Sequence, residues 1–193
     1  MPAKDNHENQ TLCEEEYLRT ELISEIRREY INGQIYAKTG ESFNHNLISG
    51  NVGSKFSDHL KGTPCATFIL AMMLRLGKDY VYPDVMVDCS PMEGEDFIAK
   101  SPVILVEVLS KTTRRIDSTI KLKNYINLPS LQEYVLIEQE YTSVQILRRR
   151  KHWQSEYFFL DDSASFESID LVLPVAEIYE RVDNAELREI LHN

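Results

Sequence analysis

Apolar residues recur along this chain first at helical spacing, then in alternation, then in unbroken runs, and that order predicts an α/β fold. Leu18, Leu22 and Ile26 keep helical spacing between Cys13 and about Arg28, and Thr11 with Glu14 forms a capping-box signature before them. One or two short amphipathic helices are therefore expected at the start. Glu29 to Tyr36 alternates around Asn32-Gly33, the pair that a tight type I′ hairpin requires. From Asn44 to Leu60, the residues Leu47, Ile48, Val52, Phe56 and Leu60 lie close to one face, and Gly62 with Thr63-Pro64 stops this first core helix.

Ala66 to Leu76 is dense enough in apolar residues for one buried strand, and Gly77-Lys78-Asp79 turns the chain toward a second strand, Tyr82 to Val87. Val103 to Leu109 is apolar almost throughout, so this third strand is expected at the centre of a sheet with both faces covered. Thr113 to Asn127 carries Ile116, Ile120 and Tyr125 among polar residues and reads as a helix ending before Pro129. Glu133 to Ile137 and Ser143 to Leu147 read as two more strands, with edge strands or loops around Phe158, Phe159 and Leu171 to Leu173. Val175 to Tyr179 and Ala185 to Leu191 are expected as short terminal helices.

Composition narrows this picture. With 193 residues, 42% of them hydrophobic, the chain can bury one substantial core but is short for two independent domains. Seven Gly and seven Pro are too few for a flexible linker, so residues 1–193 are expected as a single domain, with 1–10 flexible and a core from about 44 to 150. The net charge of -10 opposes tight, non-specific binding to a polyanion, which draws on Lys and Arg displacing counterions. A local basic face can nevertheless coexist with 31 acidic residues. Cys13, Cys65 and Cys89 are odd in number and scattered, which suits reduced thiols and offers no zinc spacing. No apolar run approaches the roughly 18 residues of a membrane helix, and a cytoplasmic protein without a membrane partner is expected.

Glu107 is the most informative residue. A carboxylate within Val-Ile-Leu-Val-Glu-Val-Leu costs several kcal/mol on burial unless it is paired or holds a metal. One reading is a structural ion pair to an arginine or lysine. The other begins with Asp84, which follows Pro83 at the start of a neighbouring strand and can bring a second carboxylate into the same coordination sphere. Hard oxygen donors of this kind suit Mg²⁺ or Mn²⁺. In the following helix Asp117, Lys121 and Tyr125 stand four residues apart and share a face, so Lys121 is the candidate basic partner. Lys111 competes for that role because strand alternation puts it on the face of Glu107, but two residues past Leu109 it is expected to leave the sheet.

In their order and spacing these residues resemble the PD-(D/E)XK nuclease superfamily, with its restriction-endonuclease-like fold. More narrowly, Tyr82-Pro83-Asp84-Val85, Glu107-Val108-Leu109-Ser110, Asp117 with Lys121, Tyr125, and Glu133-Tyr134-Val135-Leu136 resemble the Uma-two family of restriction endonucleases. The Glu29 to Gly33 hairpin, His45 and the stretch from Leu173-Pro174 to Tyr179 extend the likeness over most of the chain. The resemblance implies a mixed central β-sheet flanked by helices, preceded by an N-terminal helix and hairpin. It further implies an endonuclease that hydrolyses phosphodiester bonds, DNA before RNA, with Mg²⁺-activated water. The ion would be held by Asp84, Glu107 and the backbone carbonyl of Val108, with Lys121 as the catalytic lysine; His45, Asp117 and, from strand alternation alone, Lys111 are candidate auxiliaries.

The chain also departs from the pattern. Leu109 stands where the superfamily has its lysine, which implies a lysine moved to the helix at Lys121; Lys111 replaces a common proline, and Gln34 a common acid. Arg114, Arg115, Lys123 and the run Arg148 to His152 are the local basic clusters, and none is assigned a binding role. Enzymes that cut both strands commonly work as two-fold dimers, so a homodimer is expected by analogy. The competing reading is a catalytically inactive nuclease-fold module, which the acidic charge and Leu109 favour.

Overall fold

The computed structural model describes residues 12–38, 40–111, 114 and 116–191. The stretch 1–10, the cap residue Thr11, and Thr113 and Arg115 lie outside them. The chain divides into two compact units, one of Met1–Gly40 with Arg75–Val81 and one of Glu41–Leu74 with Tyr82–Asn193.

In the first unit, helix α1 (Glu14–Glu21) carries three glutamates in its first turn, where the helix dipole favours negative charge. It is shorter than the predicted helical stretch, because Glu21 turns its carboxylate back to the N–H and Nε of Arg28, each at 2.9 Å, and the chain folds over into a strand. Leu22 and Ile26 consequently stand exposed instead of lining a helix face. The hairpin of β1 (Arg28–Ile31) and β2 (Gln34–Ala37) forms as predicted: Asn32 and Gly33 take φ of 53° and 79°, the left-handed pair a type I′ turn needs. Strand β5 (Asp79–Val81) joins β1 through Tyr30↔Tyr80, and Tyr17 stacks on Tyr30 with ring centroids 5.1 Å apart.

The second unit is built on a six-stranded sheet. Its order is β11 (Ser155–Phe158), β10 (Val144–Arg148), β9 (Glu133–Glu138), β8 (Pro102–Leu109), β6 (Val85–Asp88), β3 (Ala66–Ile69). All neighbours are antiparallel except β8 and β9, so the sheet is mixed. One face packs Val85, Val87, Ile104, Val106, Val108 and Val135 against Ile48, Val52 and Phe56 of α2 (Phe43–His59). Each such side chain, once buried, contributes about 1.5–3 kcal/mol. Ser42 caps α2 by accepting the His45 N–H at 3.1 Å. The helix lies close on β3: a Cβ on Gly53 would fall 2.4 Å from Ile69 Cδ1. Strand β8 is central and covered on both faces, as its apolar run predicts.

Three expectations are corrected. Ala66 to Leu76 is not one buried strand: Leu70 takes a left-handed φ of 56° and donates its N–H to the Asp84 carbonyl at 2.9 Å, which breaks the run into β3 and β4 (Met73–Leu76). Through Met73 and Leu74, β4 runs parallel to β7 (Ile98–Ala99). The helix expected from Thr113 to Asn127 is a π-helical turn, Ile116–Lys121, continued by one α-helical turn, α3 (Leu122–Tyr125). Cys65 and Cys89, expected as thiols, form a disulfide, because they flank the paired residues Ala66 and Asp88 at the edge of the sheet. Strands β12 (Ser163–Phe166) and β13 (Leu171–Pro174) pair separately, and α4 (Val175–Ile178) and α5 (Ala185–Leu191) end the chain near the predicted boundaries.

Candidate functional site

The sheet register brings the two strand carboxylates to one place. Val85 pairs with Val106 and Met86 with Leu105, so one step further along the ladder Asp84 stands opposite Glu107. Asp84 precedes the first paired residue of β6, and there its side chain replaces the main chain as acceptor: the Val108 N–H donates to Asp84 Oδ2 at 2.8 Å. His45, in the first turn of α2, places Nε2 3.0 Å from the same oxygen and 3.8 Å from Glu41 Oε2. His45 Nδ1 is buried with no hydrogen-bond partner among the described residues.

Glu107 sits on the face of β8 opposite the α2 core and is 1% exposed. Its Oε1 receives the Tyr125 hydroxyl at 2.7 Å and the Lys121 ammonium at 3.2 Å. Lys121 also lies 3.2 Å from Asp117 Oδ1, the i, i+4 pair that the spacing predicts, and is itself only 4% exposed. Tyr134, paired with Leu105 across β8 and β9, donates its hydroxyl to the Asp117 carbonyl at 3.0 Å, at the start of the π-turn. Burial raises the Tyr134 phenol well above its ordinary pKa; the charges of Glu107, Asp117 and Asp84 raise it further, and Lys121 opposes them.

The structure thus gathers Asp84, Glu107, Asp117, Lys121 and His45, every one buried. It does not bring Lys111 among them: β8 ends at Leu109, and the Lys111 side chain, 80% exposed, reaches Glu140 at 3.3 Å. The sequence assigns no role to Tyr125 or to Tyr134, since a tyrosine in an apolar strand or on a helix face is ordinary core material. Their signals are the spacing of Tyr125, four residues beyond Lys121, and the place of Tyr134 in the family-like Glu133-Tyr134-Val135-Leu136. The basic run resolves into local pairs, with Arg148 buried against Glu133 at 3.0 Å and Arg150 paired with Glu167. Among the described residues no group of three or more His, Cys, Asp or Glu side chains is arranged to hold a metal ion. Asp84 and Glu107 supply two hard carboxylate donors, of the kind that Mg²⁺, which keeps several of its waters, accepts. No helix among the described residues is long and apolar enough to cross a membrane.

Comparison with known proteins bears on the fold and the family. A solved structure described as a "putative nuclease belonging to DUF820" from Anabaena variabilis superposes with a TM-score of 0.75 at 22% identity, covering 89% of this chain and 99% of the other. That likeness shows the nuclease fold. Two uncharacterized proteins of Synechocystis sp., slr1290 and sll1609, are similar in sequence. The first is 36% identical over 176 residues, 87% of this chain and 91% of that protein; the second is 32% identical over 129 residues, 64% and 73%. Residues 14–176 match the model of the Uma2 family, described as "Putative restriction endonuclease". The chain belongs to the Uma2 family.

Proposed function

We propose that this protein is a metal-dependent endonuclease that hydrolyses phosphodiester bonds of nucleic acid, DNA in the first instance. The observation that carries this reading is the meeting of Asp84 and Glu107 from adjoining strands with Lys121, from the next helix, 3.2 Å from Glu107 Oε1. Family membership supports it, because the restriction-endonuclease-like families work with divalent ions.

Asp84, Glu107 and the backbone carbonyl of Val108 are the groups that would hold Mg²⁺ or Mn²⁺. Bound there, the ion would acidify a water and neutralise the crowded phosphate. The chain's own residues supply the rest. His45 and the Val108 N–H hold Asp84 in one orientation through Oδ2. Lys121, between Glu107 and Asp117, would offer its positive charge to the negative charge that grows on the phosphoryl oxygens as water adds and the P–O bond breaks. Asp117 keeps that ammonium in place from four residues away.

A second reading, a nuclease-fold module without catalysis, is favoured by the closure of Lys121 between two carboxylates at 4% exposure. Cleavage of plasmid and single-stranded DNA in Mg²⁺ or Mn²⁺ separates the two. The proposal expects activity in the wild type, lost by at least a hundredfold in Asp84→Ala and Lys121→Ala, on the scale of about 3 kcal/mol for one transition-state contact. Equal residual activity in all three proteins would assign the cleavage to a contaminant and favour the inactive module.

A further inference from the structure

Lys121 cannot by itself fix the orientation of Glu107. Its ammonium ends a flexible four-carbon stem and is shared at 3.2 Å with each of two carboxylates, Glu107 and Asp117. A second partner of Glu107 is neutral. Tyr125, fully buried at the end of α3, donates its hydroxyl to Glu107 Oε1 at 2.7 Å, within the short range of hydrogen bonds to ionised carboxylates. Its ring is held in turn: Tyr125 and Tyr134 meet edge to face, centroids 5.0 Å apart at 69°. Tyr134 then grips the Asp117 carbonyl at 3.0 Å, in the π-turn that carries Lys121. One aromatic pair therefore ties the strand glutamate to the segment bearing its lysine.

We infer that Tyr125 is a positioning residue for Glu107: its hydroxyl sets the carboxylate orientation in which Glu107 binds the divalent ion. This rests on the reading of Asp84 and Glu107 as the ion-bearing pair. It concerns a residue that touches neither ion nor substrate, and partners of that kind govern how well a ligand is presented. Phenylalanine at position 125 keeps the ring and its packing on Tyr134 and removes only the O–H.

The test is calorimetric titration of Mn²⁺ into the full chain as wild type, Tyr125→Phe and Glu107→Gln, with thermal melting of each and the Mn²⁺ concentration for half-maximal DNA cleavage. The inference expects Tyr125→Phe to fold, to bind Mn²⁺ roughly 10–100-fold more weakly, and to shift the half-maximal Mn²⁺ concentration by the same factor. Cleavage at saturating Mn²⁺ should recover most of the wild-type rate, which a general loss of structure would not allow. Wild-type affinity in Tyr125→Phe, with binding lost in Glu107→Gln, would overturn the inference and leave the ion-bearing pair standing. A Tyr125→Phe chain that does not fold would assign the hydroxyl to structure and overturn it equally. Mn²⁺ binding absent from the wild type, or unchanged in Glu107→Gln, would remove the ion-bearing pair and the inference with it.

Discussion

Lys121 is the residue on which the buried charges depend most. It neutralises parts of Glu107 and Asp117 in a region where an uncompensated carboxylate costs several kcal/mol. Lys121→Met, which fills the volume without the charge, should therefore destabilise the fold by about 3–5 kcal/mol, and urea denaturation checks this. Combining it with Glu107→Gln should cost less than the sum of the two single changes, since both remove one interaction. Additive costs would mean that the ammonium is not what compensates Glu107. At this scale much of the candidate site was legible. Glu107 stands out because nothing else in its strand is polar, and Lys121 because it keeps helical spacing with Asp117. Tyr134 was not legible: its hydroxyl reaches a main-chain carbonyl 17 residues away, a contact that no local pattern encodes. Lys111 leaves the sheet as its place two residues past Leu109 predicts, because alternation says which face a residue takes only while the strand lasts, and β8 stops at Leu109.

Among the elements, the edge strand β3 is held by backbone pairing to β6, by α2 above it and by the Cys65–Cys89 bond. That bond spans a separation of 24 residues, and closing such a loop stabilises a fold by about 3 kcal/mol in the chain-entropy account. Replacing both cysteines by serine should lower the melting temperature on the order of 10 °C. Under non-reducing conditions, an identical Tm in the double variant would show that the bond contributes nothing to the fold. Element identities were legible wherever the period was long and regular, as in α2, β8 and the Asn32-Gly33 hairpin. The break at Leu70 was hidden because its left-handed backbone carries no glycine to announce it. The π-turn was hidden for a different reason: residues i and i+4 share a face in α- and π-helical turns alike, so Asp117 and Lys121 fit either. α1 stopped early through a side-chain contact, Glu21 to Arg28, that the apolar spacing does not register.

For the molecule as a whole, charge sets the conditions of function. With a net charge of -10, binding to a nucleic acid must draw on few cations, so DNA cleavage should fall only shallowly as salt rises from about 50 to 200 mM; activity against NaCl concentration measures this. Alkaline pH probes the fold in both units. Burial raises the Tyr80 phenol to about 12 and pushes Tyr179 up further. Both keep their protons in the folded chain after the unfolded chain, with phenols near 10, has begun to lose them. Their contribution is therefore complete below about pH 10 and is lost as pH rises toward the folded values. The urea midpoint should fall across that window, with tyrosinate absorbance appearing in the same transition, and a constant midpoint would contradict it.

The central claim, that the carboxylates of two adjoining strands share one divalent ion, is tested most directly by anomalous diffraction at the manganese edge from a crystal soaked in Mn²⁺. The account predicts a manganese peak within coordinating distance of both Asp84 and Glu107. A peak elsewhere, or none at that place with Lys121 still seated on Glu107, would contradict it.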